Sequence, residues 1–130
     1  MTKDDVSKNY SPLALAYLGD SVYELYVRAY LLESGNCPNH VLNDRARSFV
    51  KCEAQQHFLE VLAPHLLPDE AALVRRGRNA KSATKPHHAT HGAYHAATAL
   101  EALFGYLYLA GETARLTALF EIICKKEEAE

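Results

Sequence analysis

The 130-residue chain has no tryptophan, a single methionine and only three cysteines, Cys37, Cys52 and Cys124. Three widely spaced cysteines without a CxxC pair suit reduced thiols in a cytoplasm better than a disulfide framework. None has a basic neighbour at helical spacing, so each reads as inert. Long hydrophobic runs are missing too. The most apolar stretch, Leu13 to Leu32, is interrupted by Asp20, Glu24 and Arg28, which argues against a membrane span. The opening MTKDDVSKNY lacks an apolar core of the kind that marks a chain for export. Neither GxxxxGK[ST], GxGxxG nor HExxH occurs, so no nucleotide cofactor and no zinc-protease reading starts from a motif. Strand-period alternation with turn signals is also absent, and no internal repeat is visible.

Acid is missing from one region. Between Ala71 and Leu100 there is no Asp or Glu, while Arg75, Arg76, Arg78, Lys81 and Lys85 stand there. Those thirty residues carry +5 and the remaining hundred −7, which the chain total of −2 conceals. Such asymmetry points to one face built for a polyanion. Arg and Lys grip phosphate in complementary ways, and Gly77, Ser82 and Ala83 let a backbone approach a sugar-phosphate edge. His87, His88, His91 and His95 share the region. At a spacing of four, three of them could share a helical face and suggest zinc, but no fourth ligand is legible. They read as part of the polyanion face.

What remains is helical nearly throughout: an all-α chain of about six helices forming a single domain over 1–130, with a core at about 11–123 and a solvated, fraying tail at 124–130. Pro12 opens a helix that runs to about Glu33. A second pattern covers His40 to Leu62, with a break near Val50. Asp69 and Glu70 suit the start of a helix reaching about Arg76, and 78–90 reads as loop. The last two patterns run from Gly92 to Ala110 and from Glu112 to Lys126. The tyrosines at helical spacing (Tyr17, Tyr23, Tyr26, Tyr30, Tyr106, Tyr108) are expected in a core or a dimer interface.

Two of these helices are apolar cylinders that each carry a carboxylate. In the first, the charged residues Asp20, Glu24 and Arg28 form one stripe, and Gly19 ahead of Asp20 suits close approach of another backbone or a ligand. The fifth, Ala93 to Ala110, has Glu101 as its one carboxylate. Buried carboxylates are paired, protonated or metal-bound. An intrahelical network through Glu24 to Arg28 would satisfy Asp20, and simple exposure would satisfy Glu101. Alternatively the two acids form a hard-oxygen pair for Mg²⁺, beside a basic stretch that holds phosphate.

Three motifs carry a resemblance. The run Leu15-Ala16-Tyr17-Leu18-Gly19-Asp20-Ser21-Val22 is similar to the ribonuclease III endonuclease signature Asn-Glu-Arg-Leu-Glu-Phe-Leu-Gly-Asp-Ala-Val. Glu101-Ala102-Leu103 with Gly105 resembles that family's second acidic helix. Together with Arg76-Gly77-Arg78-Asn79-Ala80-Lys81-Ser82, these resemble the family's short form, Mini-ribonuclease III, which has no separate double-stranded-RNA-binding domain. The resemblance implies a dimeric all-helical endonuclease in the cytoplasm. It would cut double-stranded RNA with Mg²⁺, or with Mn²⁺ as substitute, leaving a 5′-phosphate and a short 3′ overhang. A precursor ribosomal RNA stem (23S rRNA) is the implied substrate. Asp20 and Glu101 match the catalytic, metal-binding acids, and Arg75, Arg76, Arg78, Asn79, Lys81, Ser82 and Lys85 are the implied RNA contacts. Leu13, Ala16 and Thr98 stand where the longer signature has acids. Their absence supports a competing expectation, a noncatalytic RNA-binding module on the same fold.

Overall fold

The computed structural model describes residues 1–80 and 90–130. Seven α-helices account for nearly all of them: α1 Lys3–Asn9, α2 Pro12–Glu33, α3 Asn39–Val50, α4 Cys52–Leu62, α5 Pro68–Asn79, α6 His91–Leu109 and α7 Thr113–Ala129. A 3₁₀ turn, Ala63–His65, joins α4 to α5. No strand occurs among the described residues.

Helix α6 is the axle. Twelve of its residues are buried, including Leu100, Leu103, Phe104 and Leu107, and α2, α4 and α5 pack around it. Local signals set the helix starts. Ser11 Oγ accepts from Ala14 N at 3.1 Å ahead of Pro12, and Thr90 Oγ1 accepts from Ala93 N at 3.0 Å at the start of α6. Tyr23 locks α2 to α3 by donating its hydroxyl to the Phe49 carbonyl at 2.8 Å. It also stands edge-on to Phe104, with ring centroids 5.2 Å apart.

Several expectations shift. Helix α1 was not anticipated from the sequence. It is short, buries Val6 alone, and starts with a reciprocal Thr2–Asp5 capping box. Helix α5 continues through Gly77 to Asn79, so Arg78 and Asn79 are helical, not part of a loop. Packing explains this: Gly77 sits against Ala99 of α6, and a Cβ there would lie 2.9 Å from the Ala99 Cα. The expected fraying tail is instead a helix to Ala129, held by Tyr30 donating to Glu128 and by His57 facing Glu130 at 2.8 Å. The tyrosines divide: Tyr23, Tyr26 and Tyr30 ring Phe104 and Phe120, whereas Tyr17 and Tyr108 are 86% and 54% exposed.

Candidate active site

Helices α2 and α6 meet backbone to backbone. A Cβ on Gly19 would collide with the Glu101 carbonyl oxygen, and one on Gly105 with the Leu15 carbonyl oxygen. Only glycine fits at such a crossing. Asp20 follows Gly19 directly, so the notch that seats Gly19 on Glu101 also brings the two carboxylates into one cleft. That cleft, about 600 Å³, is walled by Leu13, Ala16, Tyr17, Ser21, Tyr94 and Thr98 around Asp20 and Glu101. A groove of similar size between α2 and α3 holds Glu24 and Arg28, which pair with each other at 3.7 Å, and no second carboxylate. The intrahelical network thus stops at Glu24, and Asp20 is left for the cleft.

Asp20 is exposed and Glu101 half-buried. Burial, and then the charge of Asp20, pushes the Glu101 carboxyl up to about 8, while the Gln55 amide beside it pulls the other way. The two acids line one cleft and their titrations are coupled. Two carboxyl groups held in one cleft, with no cationic side chain among the described residues that line it, are a donor set suited to a dication. Among the described residues no cluster of three potential metal ligands occurs.

The basic residues lie on the neighbouring face. Tyr106 donates to Asp69 at 2.9 Å and Gly77 abuts Ala99, so α5 runs antiparallel to α6 with its basic end beside the middle of α6. Ala99 and Ala102, which Gly77 touches, directly follow Thr98 and Glu101, about 100° further round the helix. Arg75, Arg76 and Asn79 are exposed and Arg78 is partly buried. Arg76 also donates to Ser7 Oγ of α1 at 3.0 Å. Lys81, Ser82 and Lys85, like His87 and His88, lie outside the described residues.

Residues 13–112 match the Ribonuclease III domain family model. The chain belongs to the ribonuclease III domain family. It is a ribonuclease III-type endoribonuclease, a hydrolase acting on RNA. The chain is 43% identical over 122 residues to the Mini-ribonuclease 3 of a Thermoanaerobacter species, covering 94% of this chain and 85% of that one. It is 46% identical to the Mini-ribonuclease 3 of Symbiobacterium thermophilum, covering 85% of each. A crystal structure of a Fusobacterium nucleatum protein superposes with a TM-score of 0.83 at 31% identity, over 94% of this chain and 98% of that one.

Within this ribonuclease III domain, sequence reasoning missed Tyr94, which lines the cleft, and Gln55. A signal for Gln55 was present. It stands in the α4 stripe with Phe58, Leu59 and Leu62, at spacings of three, four and seven, where an apolar residue is expected.

Proposed function

We propose that this endoribonuclease hydrolyses double-stranded RNA with Mg²⁺, for which Mn²⁺ substitutes, and that Asp20 and Glu101 are its catalytic acids. The carrying observation is the pair itself: two carboxylates from two helices, forced together by the Gly19–Glu101 contact and electrostatically coupled. Asp20 and Glu101 would hold the metal, and Glu101 gives up its proton when the pair takes up a dication. Bound Mg²⁺ supplies Lewis-acid polarisation of the phosphate and lowers the pKa of water. Leu13, Ala16 and Thr98 add no further charge to the site, so the remaining coordination falls to water and RNA phosphate oxygens. Arg75, Arg76, Arg78 and Asn79 on α5, with Lys81, Ser82 and Lys85 on the segment that follows, hold the phosphate backbone by charge and shape. The substrate is a precursor ribosomal RNA stem (23S rRNA), met in the cytoplasm.

The decisive experiment is Asp20→Asn, which keeps size and removes one charge. Cleavage of duplex RNA in Mg²⁺ should fall by about three orders of magnitude or more, on the order of 4 kcal/mol of transition-state stabilisation. Duplex binding should persist. The Asp20→Asn/Glu101→Gln double variant should be little worse than either single, because both side chains act through one metal. Near-normal cleavage by purified Asp20→Asn would overturn the assignment, and wild-type binding without cleavage in Mg²⁺ would favour the noncatalytic module.

The enzyme is also proposed to act as a homodimer through α2. Four large apolar side chains of that helix, Leu13, Tyr17, Leu25 and Leu32, remain exposed. Two-fold symmetry would then offer one site to each RNA strand. Sedimentation at micromolar concentration should give a dimer, and a fully active monomer would refute it.

A further inference from the structure

Of the four histidines in the acid-free stretch, His91 and His95 lie in the first turns of α6. Their rings, one helical turn apart, are nearly parallel, with 17° between planes and centroids 6.2 Å apart. His91 is exposed and His95 partly buried. Packing gives no reason for histidine at position 95. Among the described residues its Nδ1 is enclosed without a hydrogen-bond partner, a penalty that leucine in the same space would not carry. The nitrogen left for a ligand is Nε2.

Placement around α6 indicates the ligand. At about 100° per residue, His95 projects between Ala99 and Ala102, the two residues that Gly77 of α5 touches. His91 lies about 40° further round, and Thr98, Tyr94 and Glu101 of the cleft follow within about 80° of it. His95 also stands edge-on to Tyr94, with ring centroids 5.6 Å apart. The two imidazoles therefore occupy the sector between the α5 contact and the cleft. Helix α5 ends at Asn79, just past Gly77, and leaves His91 exposed. No Asp or Glu stands on α6 ahead of Glu101. The shortest path for a strand gripped by Arg75, Arg76 and Arg78 and cut at Asp20 and Glu101 crosses this sector. There it meets N–H donors and no carboxylate of α6.

We propose that His91 and His95 are RNA-backbone contacts, donating imidazole N–H groups to phosphate or 2′-hydroxyl oxygens of the strand that runs from α5 into the cleft. The proposal rests on the reading of α5 as the phosphate-binding face and of Asp20 and Glu101 as the cutting site.

The test is filter binding of duplex RNA in chelator, with cleavage kinetics in Mg²⁺ alongside. The proteins are wild type, His91→Ala/His95→Leu, His91→Gln/His95→Gln and Arg75→Gln/Arg76→Gln/Arg78→Gln. His91→Ala/His95→Leu should bind roughly tenfold more weakly, the scale of a hydrogen bond to a charged group. Its KM should rise with kcat nearly kept, and its thermal midpoint should stay at or above wild type. Glutamine keeps an N–H donor near the place of Nε2, so His91→Gln/His95→Gln should bind within about threefold of wild type. If His91→Ala/His95→Leu does not fold, His91→Ala alone, at an exposed position, should still weaken binding and raise KM. A lowered midpoint without recovery in the glutamine variant would assign the pair to packing and overturn the proposal. Wild-type binding and KM in the folded histidine variants, beside a weakened arginine variant, would overturn this proposal alone. Wild-type binding by the arginine variant as well would overturn the reading of α5 beneath it.

Discussion

An ordinary glutamate ionises near 4.5 and Glu101 near 8, so between those values the folded chain holds a proton that the unfolded chain has released. Stability then falls as pH rises through that window, because ionising Glu101 in the fold means placing a buried charge beside Asp20. Below about 4.5 the contribution is fully present; above about 8 it is gone. Melting of chelator-treated protein at pH 5, 6, 7 and 8 should show this decline, and Glu101→Gln should flatten it. Excess Mg²⁺ at pH 8 should restore wild-type stability by binding the folded state. Equal pH slopes in wild type and Glu101→Gln would mean that Glu101 is not held against Asp20. Cys52 and Cys124 play no part in this range: burial first, and then neighbouring carboxylates, push Cys124 up to about 12 and raise Cys52 above its ordinary value. The inert reading of those two cysteines fits.

The α2–α6 crossing decides the site at the next scale. Because Gly19 and Gly105 each face backbone atoms rather than flexible side-chain ends, there is nothing to yield when a methyl is added. Gly19→Ala should separate the helices, destabilise the fold by about 3 kcal/mol or more, and reduce cleavage together with metal affinity. Denaturant unfolding and Mn²⁺ titration would measure both. Unchanged stability would show that the crossing is looser than described. Elsewhere, α5 is tied at both ends. Leu67 N donates to Glu70 Oε1 at 2.9 Å, Arg115 of α7 fixes the same carboxylate, and Gly77 docks on α6. These ties hold the basic last turn of α5 rigidly relative to the cleft.

Across the whole molecule, charge is separated: the acid-free stretch carries +5 on a chain of net −2, and its described cations, Arg75, Arg76 and Arg78, stand on α5, which packs against the helix that carries Glu101. The average charge would repel a polyanion, but the local field does not. Replacing Arg75, Arg76 and Arg78 together by Gln should weaken duplex RNA binding uniformly across sequences. It should also flatten the slope of log K against log salt by about three per protomer. Filter binding at several salt concentrations would measure it. An unchanged slope would place the RNA face elsewhere.

Local, short-range information in the sequence determined the helical class, the span of α2 from Pro12 to Glu33, the break near Val50, the two lone acids on apolar helices and the basic stretch. Capping residues, periodicity and charge spacing all act within a few residues of one another, so they can be read in one dimension. Tertiary structure decided the rest. Propensity ended α5 at Gly77, but contact with Ala99 carried it on to Asn79. Composition read the last residues as solvated and fraying; they are solvent-exposed, but Tyr30 and His57, distant in sequence, hold them as helix. The meeting of Asp20 with Glu101 in one cleft, eighty-one positions apart, depends on where whole helices cross. That geometry is fixed by packing against partners that no local window contains.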